Sequence, residues 1–204
     1  MIEKNGNCEW GDKRVDWAED VAKSSLLMSK KQSISEMIHS SKNLRKGEIF
    51  LRQGMPCEII GMVEKGVLRG YVVDNDGEEI TTHFFQENDM VIGSFIPNTN
   101  MAMSVDALED SELSIANYAE VMSWVNRDME LTSIINKQFG ILNQRLQSRL
   151  VNLINLNSME KYELFMQEHP SLLNRIPHYY IANYLGITPT QLSRTKKQFL
   201  NKCK

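Results

Sequence analysis

The chain has 204 residues, 42% of them hydrophobic, with 23 basic side chains against 26 acidic ones. That length allows one large domain or two small ones with a buried core, and the mixed composition reads as globular. No run approaches the roughly 18 apolar residues of a membrane span, and the charged N-terminus lacks a signal peptide's apolar core, so a cytoplasmic protein with no membrane partner is expected.

Residues 1 to about 43 read as mainly helical. Val15, Ala18, Ala22 and Leu26 share one face, and Ile34, Met37 and Ile38 a later one. At Lys46-Gly47-Glu48 the period changes to extended. Strands are expected at 49–51, 59–63, 67–73, 79–85, 90–92, 101–108 and 112–117. Turns at Gly54-Met55-Pro56, Lys65-Gly66 and Asp74-Asn75-Asp76-Gly77 separate the first four. Asp-Gly between apolar strands is a strong hairpin signal, and short strands at this spacing suggest an antiparallel jelly roll or barrel.

From about Tyr118 the helical period returns. Leu131, Ile135, Phe139, Leu142, Leu146, Leu150 and Leu153 form a stripe whose steps fit a straight helix, and Ile134, Ile141, Val151 and Ile154 widen it. So broad an apolar face needs two surfaces to cover it, such as the rest of the chain and a partner's identical helix. A helix buried wholly within one chain is the alternative. The expected dimer contacts are Leu131, Ile135, Phe139, Leu142 and Leu146. Asn157 to Glu160 offers a cap for another helix, which His169-Pro170 ends.

The segment Arg175–Lys204 is the most informative. A short helix is expected from Pro177 to Leu185, a turn at Gly186-Ile187, and a second helix from Pro189 towards Phe199. Gly186 can take the left-handed conformation that ends a helix. Thr188 is a good N-cap, Pro189 suits the first helical position, and Gln191 completes a capping box. Ala182 is small where the helices must cross. This is a helix-turn-helix, whose second helix can enter a DNA major groove. The segment holds six basic residues and no acidic one, while the first 174 hold 17 basic and 26 acidic. A basic tip on an acidic body is the asymmetry of a module that meets phosphates.

Strands, then a long helix, then this terminal hairpin give an α+β protein. It resembles the Crp/Fnr family of bacterial transcription regulators over roughly residues 44 to 200. The resemblance rests on Ile176 to Lys197, on Lys46-Gly47-Glu48, Gly54, Gly66 and Asp76-Gly77-Glu78-Glu79, and on Asn88-Asp89 and 107–112. The wording of the terminal motif is similar to a branch common in Bacteroidetes. The resemblance implies an antiparallel β-roll of the cyclic-nucleotide-binding type, a long dimerisation helix and a C-terminal helix-turn-helix. The corresponding boundaries are 1–126, 127–156 and 157–204. It implies double-stranded DNA as partner, a homodimer, and RNA polymerase as a further contact. Base reading falls to Pro189, Thr190, Gln191 and Arg194, with Arg194 able to donate a bidentate pair to guanine. Thr188, Ser193, Lys196 and Lys197 complete the DNA-binding set, the last three as phosphate contacts.

The family's cyclic-nucleotide binders carry a Gly-Glu pair and an arginine for the cyclic phosphate. Here Gly93 is followed by Ser94, and no Arg or Lys occurs from Gly70 to Asn126, a segment with eleven acidic residues. A phosphate buried there would lack a cation, so no cyclic-nucleotide response is expected. A cyclic-nucleotide-dependent regulator with an atypical pocket is the alternative within the family. If a small effector exists, Gly93, Ser94, Phe95, Met101, Met103 and Ser104 are the candidate pocket, though such residues more often form plain core. The four histidines show no paired ligand spacing. Cys8, Cys57 and Cys203 are too few and too far apart for a Cys₄ cluster, and no Gly-rich phosphate loop, GxSxG or HExxH occurs. Neither metal nor cofactor is expected, nor an enzyme. A protein-interaction module that grips a partner without reading DNA is the competing class.

Overall fold

The computed structural model describes residues 40–94, 96 and 99–202. The helices expected before residue 40 lie outside the described residues. Residues 40–43, expected as the end of a helix, instead belong to strand β1 (Ser40–Leu44). Only Leu44 of this strand is buried. Its register against β8, Ser40↔Ile115 to Leu44↔Ser111, holds it extended. Ladder pairing has overridden a local pattern that favours no strand.

Seven further strands follow: β2 (Ile49–Leu51), β3 (Ile59–Lys65), β4 (Leu68–Val73), β5 (Glu79–Phe85), β6 (Met90–Val91), β7 (Ser104–Ala107) and β8 (Ser111–Asn117). They form two antiparallel four-stranded sheets, ordered β1-β8-β3-β6 and β2-β7-β4-β5. Leu44, Val63, Val91 and Leu113 from the first sheet meet Phe50, Leu51, Leu68, Val105 and Ala107 from the second in one buried cluster. This is the inward alternation of a two-layer roll.

Helix α1 (Tyr118–Val125) leaves β8 through an Asn117 cap whose side chain accepts from the Glu120 N–H. The 27-residue α2 (Met129–Asn155) follows, and then α3 (Ser158–Glu168). Asn157 separates them by a full capping box. Its side chain accepts from the Met159 and Glu160 N–H groups, while Glu160 accepts from the Asn157 N–H. A 3₁₀ turn (Leu172–Asn174), α4 (His178–Leu185) and α5 (Pro189–Lys202) complete the described chain. No described helix is long and apolar enough to cross a membrane.

The C-terminal helices form a head that is docked on the roll. Tyr162, Phe165, Leu172, Ile176, Ile181, Ala182, Leu185 and Leu192 share one buried cluster with Val67, Phe84 and Leu108 of the roll. Phe84 is the pivot, with ring centroids 5.2 Å from Tyr184 and 6.2 Å from Phe165. Head and roll therefore bury apolar surface in common.

Candidate nucleic-acid interface

Helix α4 is closed by Gly186 in the left-handed region, φ 63°, and the Ile187 N–H donates back to the Ala182 carbonyl. Helix α5 opens with the expected box. The Gln191 N–H donates to Thr188 Oγ1 at 3.1 Å, and the Thr188 N–H to Gln191 Oε1 at 2.9 Å. Ile181, Ala182, Leu185 and Leu192 are buried where α4 crosses α5, and Phe199 meets Tyr162 edge-on at 5.6 Å. The helix-turn-helix thus follows from local signals: a cap, a left-handed glycine, the small Ala182 and three larger apolar residues.

With Leu192 and Thr195 buried, the opposite face of α5 is open. Thr188, Pro189, Thr190, Gln191, Ser193, Arg194 and Lys197 are exposed, and Lys196 is half-buried. All eight residues assigned to DNA fall in one contiguous stretch of the second helix and its cap. Gln191 differs from the expectation in one respect, because its side-chain oxygen is engaged in the cap. Arg175 differs more. Counted in the basic tip, it is instead held by two glutamates of the roll, donating from Nη1 to Glu87 Oε2 at 2.9 Å, from Nη2 to Glu87 Oε1 at 2.6 Å, and from Nη2 also to Glu109. The guanidinium holds the Glu87 carboxyl down to about 2, helped by backbone donors that include the Gly66 N–H.

Three other junction residues carry no local signal in the sequence. Asn183 on α4 lies along the outer edge of β5, accepting from the Thr81 N–H at 2.6 Å and donating to the Glu79 carbonyl at 2.9 Å. It takes the place of a neighbouring strand on an edge that would otherwise be unpaired. Beside it, the β4–β5 register shifts after Gly70↔His83, leaving Thr82 as a bulge residue. The bulge turns two successive carbonyls, Thr81 and Thr82, toward α2, where Arg149 donates to both and to the Tyr184 carbonyl. Burial lowers the Arg149 pKa, partly offset by Tyr184 and Glu168. The third is Arg69 on β4, 3% exposed, with Nε and Nη2 on Asp106 at 3.0 and 2.8 Å and Glu79 at 2.7 Å. Its guanidinium lies 4.1 Å from the Tyr71 ring and 4.2 Å from that of Tyr180 on α4. Burial alone would lower its pKa, but Asp106 and Glu79 outweigh it and the net shift is upward.

The candidate effector residues are distributed through the roll. Met101 is 5% exposed and packs directly on Gly93, where an added Cβ would collide with its side chain. Met103 lies against Gly70 and receives the Thr82 hydroxyl at 3.8 Å. The Ser104 hydroxyl accepts from the Gln53 N–H, and the Ser94 hydroxyl bonds with Thr99 at 2.6 Å. Phe95 lies outside the described residues. On α2, Ile135 is half-buried and Leu146 is 43% exposed, while the side chains of Leu131, Phe139 and Leu142 lie outside the description. Toward the helix end, Leu150, Val151 and Ile154 are 61, 52 and 74% exposed. Among the described residues no three His, Cys, Asp or Glu side chains gather as metal ligands.

Residues 41–128 match the cyclic nucleotide-binding domain family. The chain is 23% identical over 133 residues to the anaerobic regulatory protein of Bacillus subtilis, covering 64% of this chain and 56% of that protein. It is 23% identical over 198 residues to the transcriptional activator protein Anr of Pseudomonas aeruginosa, covering 86 and 76%. In fold it is similar to FixK2 from Bradyrhizobium japonicum, with a TM-score of 0.72 at 18% identity, over 80% of this chain and 85% of that one. A Crp/Fnr-family regulator from Eubacterium rectale gives 0.64 at 19%, over 82% of each. Residues 41–128 thus carry the cyclic nucleotide-binding fold, and roll and head together are similar to regulators of the Crp/Fnr family.

Proposed function

We propose that this protein is a dimeric, cytoplasmic, sequence-specific DNA-binding transcription regulator, not an enzyme, and that it works without a cyclic nucleotide. The observation that carries the reading is the open face of α5. Arg194 and Lys197 project beside Thr190, Gln191 and Ser193 while Leu192 and Thr195 anchor the helix in the head. Arg194 supplies a bidentate donor for guanine, and Lys196, Lys197 and Ser193 supply phosphate contacts that set register. The apolar residues Leu146, Leu150, Val151 and Ile154 on α2 suit a second copy's identical helix. The dimer places two reading heads on a two-fold axis.

The reading without cyclic nucleotide draws support from the roll's charges. Arg69, just before the segment that lacks cations, is neutralised by Asp106 and Glu79 and stacked between two tyrosines. Freeing it for a phosphate would strand a buried carboxylate.

Selection of genomic DNA fragments by the purified protein, without added ligand and beside an Arg194→Ala control, tests the reading. The expected result is a two-fold symmetric motif that the control loses. A motif unchanged by Arg194→Ala would refute the assigned reader. Enrichment only after adding a cyclic nucleotide would refute the ligand-free mode.

A further inference from the structure

The family reading explains why a head and a roll exist, but not why this head is fastened so heavily. Three polar residues hold it, one at the turns of the roll and two that meet at Thr81 on β5. At the end of the roll, Arg175 ties the β5–β6 turn at Glu87 to the β7–β8 turn at Glu109. Glu87 in turn accepts from the Gly66 N–H in the β3–β4 turn, so one head residue gathers three turns. Along the β5 edge, Asn183 takes both backbone groups that α4 passes. From the spine side, Arg149 joins α2, β5 and the last turn of α4 through three carbonyls, with its guanidinium 4.0 Å from the Tyr184 ring. Asn183 and Arg149 meet at Thr81 on β5, while Arg175 holds the turns at Glu87 and Glu109, so directional contacts at two places limit both sliding and turning of the head. The apolar cluster around Phe84 alone would leave the head free to slide, because hydrophobic contact is non-directional.

We infer that Arg175, Asn183 and Arg149 are positioning residues for DNA reading: they fix the head and its α5 on the roll and, through Arg149, to α2, and so fix the half-site spacing that a dimer accepts, without any ligand. The inference rests on the proposed DNA reading and adds the element that sets its geometry. All the contacts are made within one chain, so the fastened arrangement needs no outside molecule to assemble it. With the fastening removed, the head hinges at Leu156-Asn157, between α2 and α3. The bases read by α5 stay the same, because the surroundings of Arg194 do not change. Only the distance and angle between the two heads loosen.

The test uses the full chain and DNA carrying the wild-type half-site pair at a series of spacers. The wild-type protein is expected to prefer one spacer by about tenfold or more over spacers two base pairs away. Arg175→Ala and Asn183→Ala, each checked for folding by circular dichroism, are expected to keep the half-site sequence but flatten that preference to about twofold. Arg175→Lys, which keeps a cation between the two carboxylates, is expected to restore most of it. A purely structural role would lower binding to every spacer equally, and that result would overturn the inference. So would an unchanged spacer preference in both alanine variants. Tighter binding by the variants would overturn it too, since the docked head would then be an inhibited state. If the wild-type protein enriches no motif at all, the DNA reading fails first and takes this inference with it.

Discussion

The Arg69–Asp106 pair offers a direct measure of what a buried ion pair contributes to the roll. Arg69 and Asp106 are 3 and 8% exposed, and both of the aspartate's oxygens are engaged by the guanidinium. Asp106→Ala leaves a buried cation with Glu79 as its remaining carboxylate, and Glu79 is 47% exposed. Breaking one side of a buried pair costs about 3–5 kcal/mol; Glu79 and the two tyrosine rings place this case near the lower bound, at about 3 kcal/mol. Arg69→Met leaves Asp106 buried without its partner, with a comparable loss. The double variant Arg69→Met/Asp106→Leu has no charge to strand, and forfeits mainly the stacking on Tyr71 and Tyr180, about 1 kcal/mol. Urea unfolding followed by circular dichroism reads all three, with m expected unchanged. The reasoning is refuted if Asp106→Ala costs less than about 1 kcal/mol, or if the double variant is less stable than either single one.

Gly66 sits at φ 107°, and a Cβ there would collide with the Ser111 hydroxyl and come within 2.8 Å of the Ser111 Cα. Gly66→Ala is expected to lose about 3 kcal/mol from left-handed strain and backbone clash, lowering Tm by about 6–12 °C in a calorimetric scan. Burial and the nearby Arg149 charge lower the His83 pKa from 6.5 to about 4. The unfolded chain therefore binds more protons between pH 6.5 and 4, so stability is full above this window and falls by about 1–3 kcal/mol across it. His83→Leu is expected to flatten that slope in a pH series of urea midpoints. Glu87 acts in a lower window, where its stabilisation, complete above about 4.5, is lost as the pH falls through about 2. Arg175→Ala is expected to remove that second slope while leaving the first.

Local signals made the head legible. Thr188, Pro189, Gln191 and Gly186 each act within four residues of their own position, and every one forms the cap or turn its chemistry implies. The same holds for Asn157 with Glu160 and for the His169 stop. The roll strands were legible from their turns and alternation, and β5 was bounded to the residue. Strand β1 was not, because Ser-Ser-Lys-Asn-Leu has one buried side chain and exists through its partner β8. The docking residues were illegible for a related reason. Arg175 and Glu87 are 88 positions apart, and Asn183 and Thr81 are 102 apart. Charge counting includes Arg175 in the basic tip, since nothing near it in sequence reveals which carboxylates it meets.

The strand edge under Asn183 bears on how such a chain tolerates being cut. A roll separated from its head would present the Thr81 N–H and Glu79 carbonyl on a bare edge, next to Ile80, already 47% exposed. Val67, Phe84 and Leu108 would become wet at the same moment. An open edge beside fresh apolar surface is a template for pairing with another such edge. Fragments ending near residue 156 would therefore be prone to clump, and a protease that nicks the loop after α2 would leave insoluble rolls rather than independent sensors. The head is thus also a lid against self-recognition, and solubility ties the two halves of the chain together.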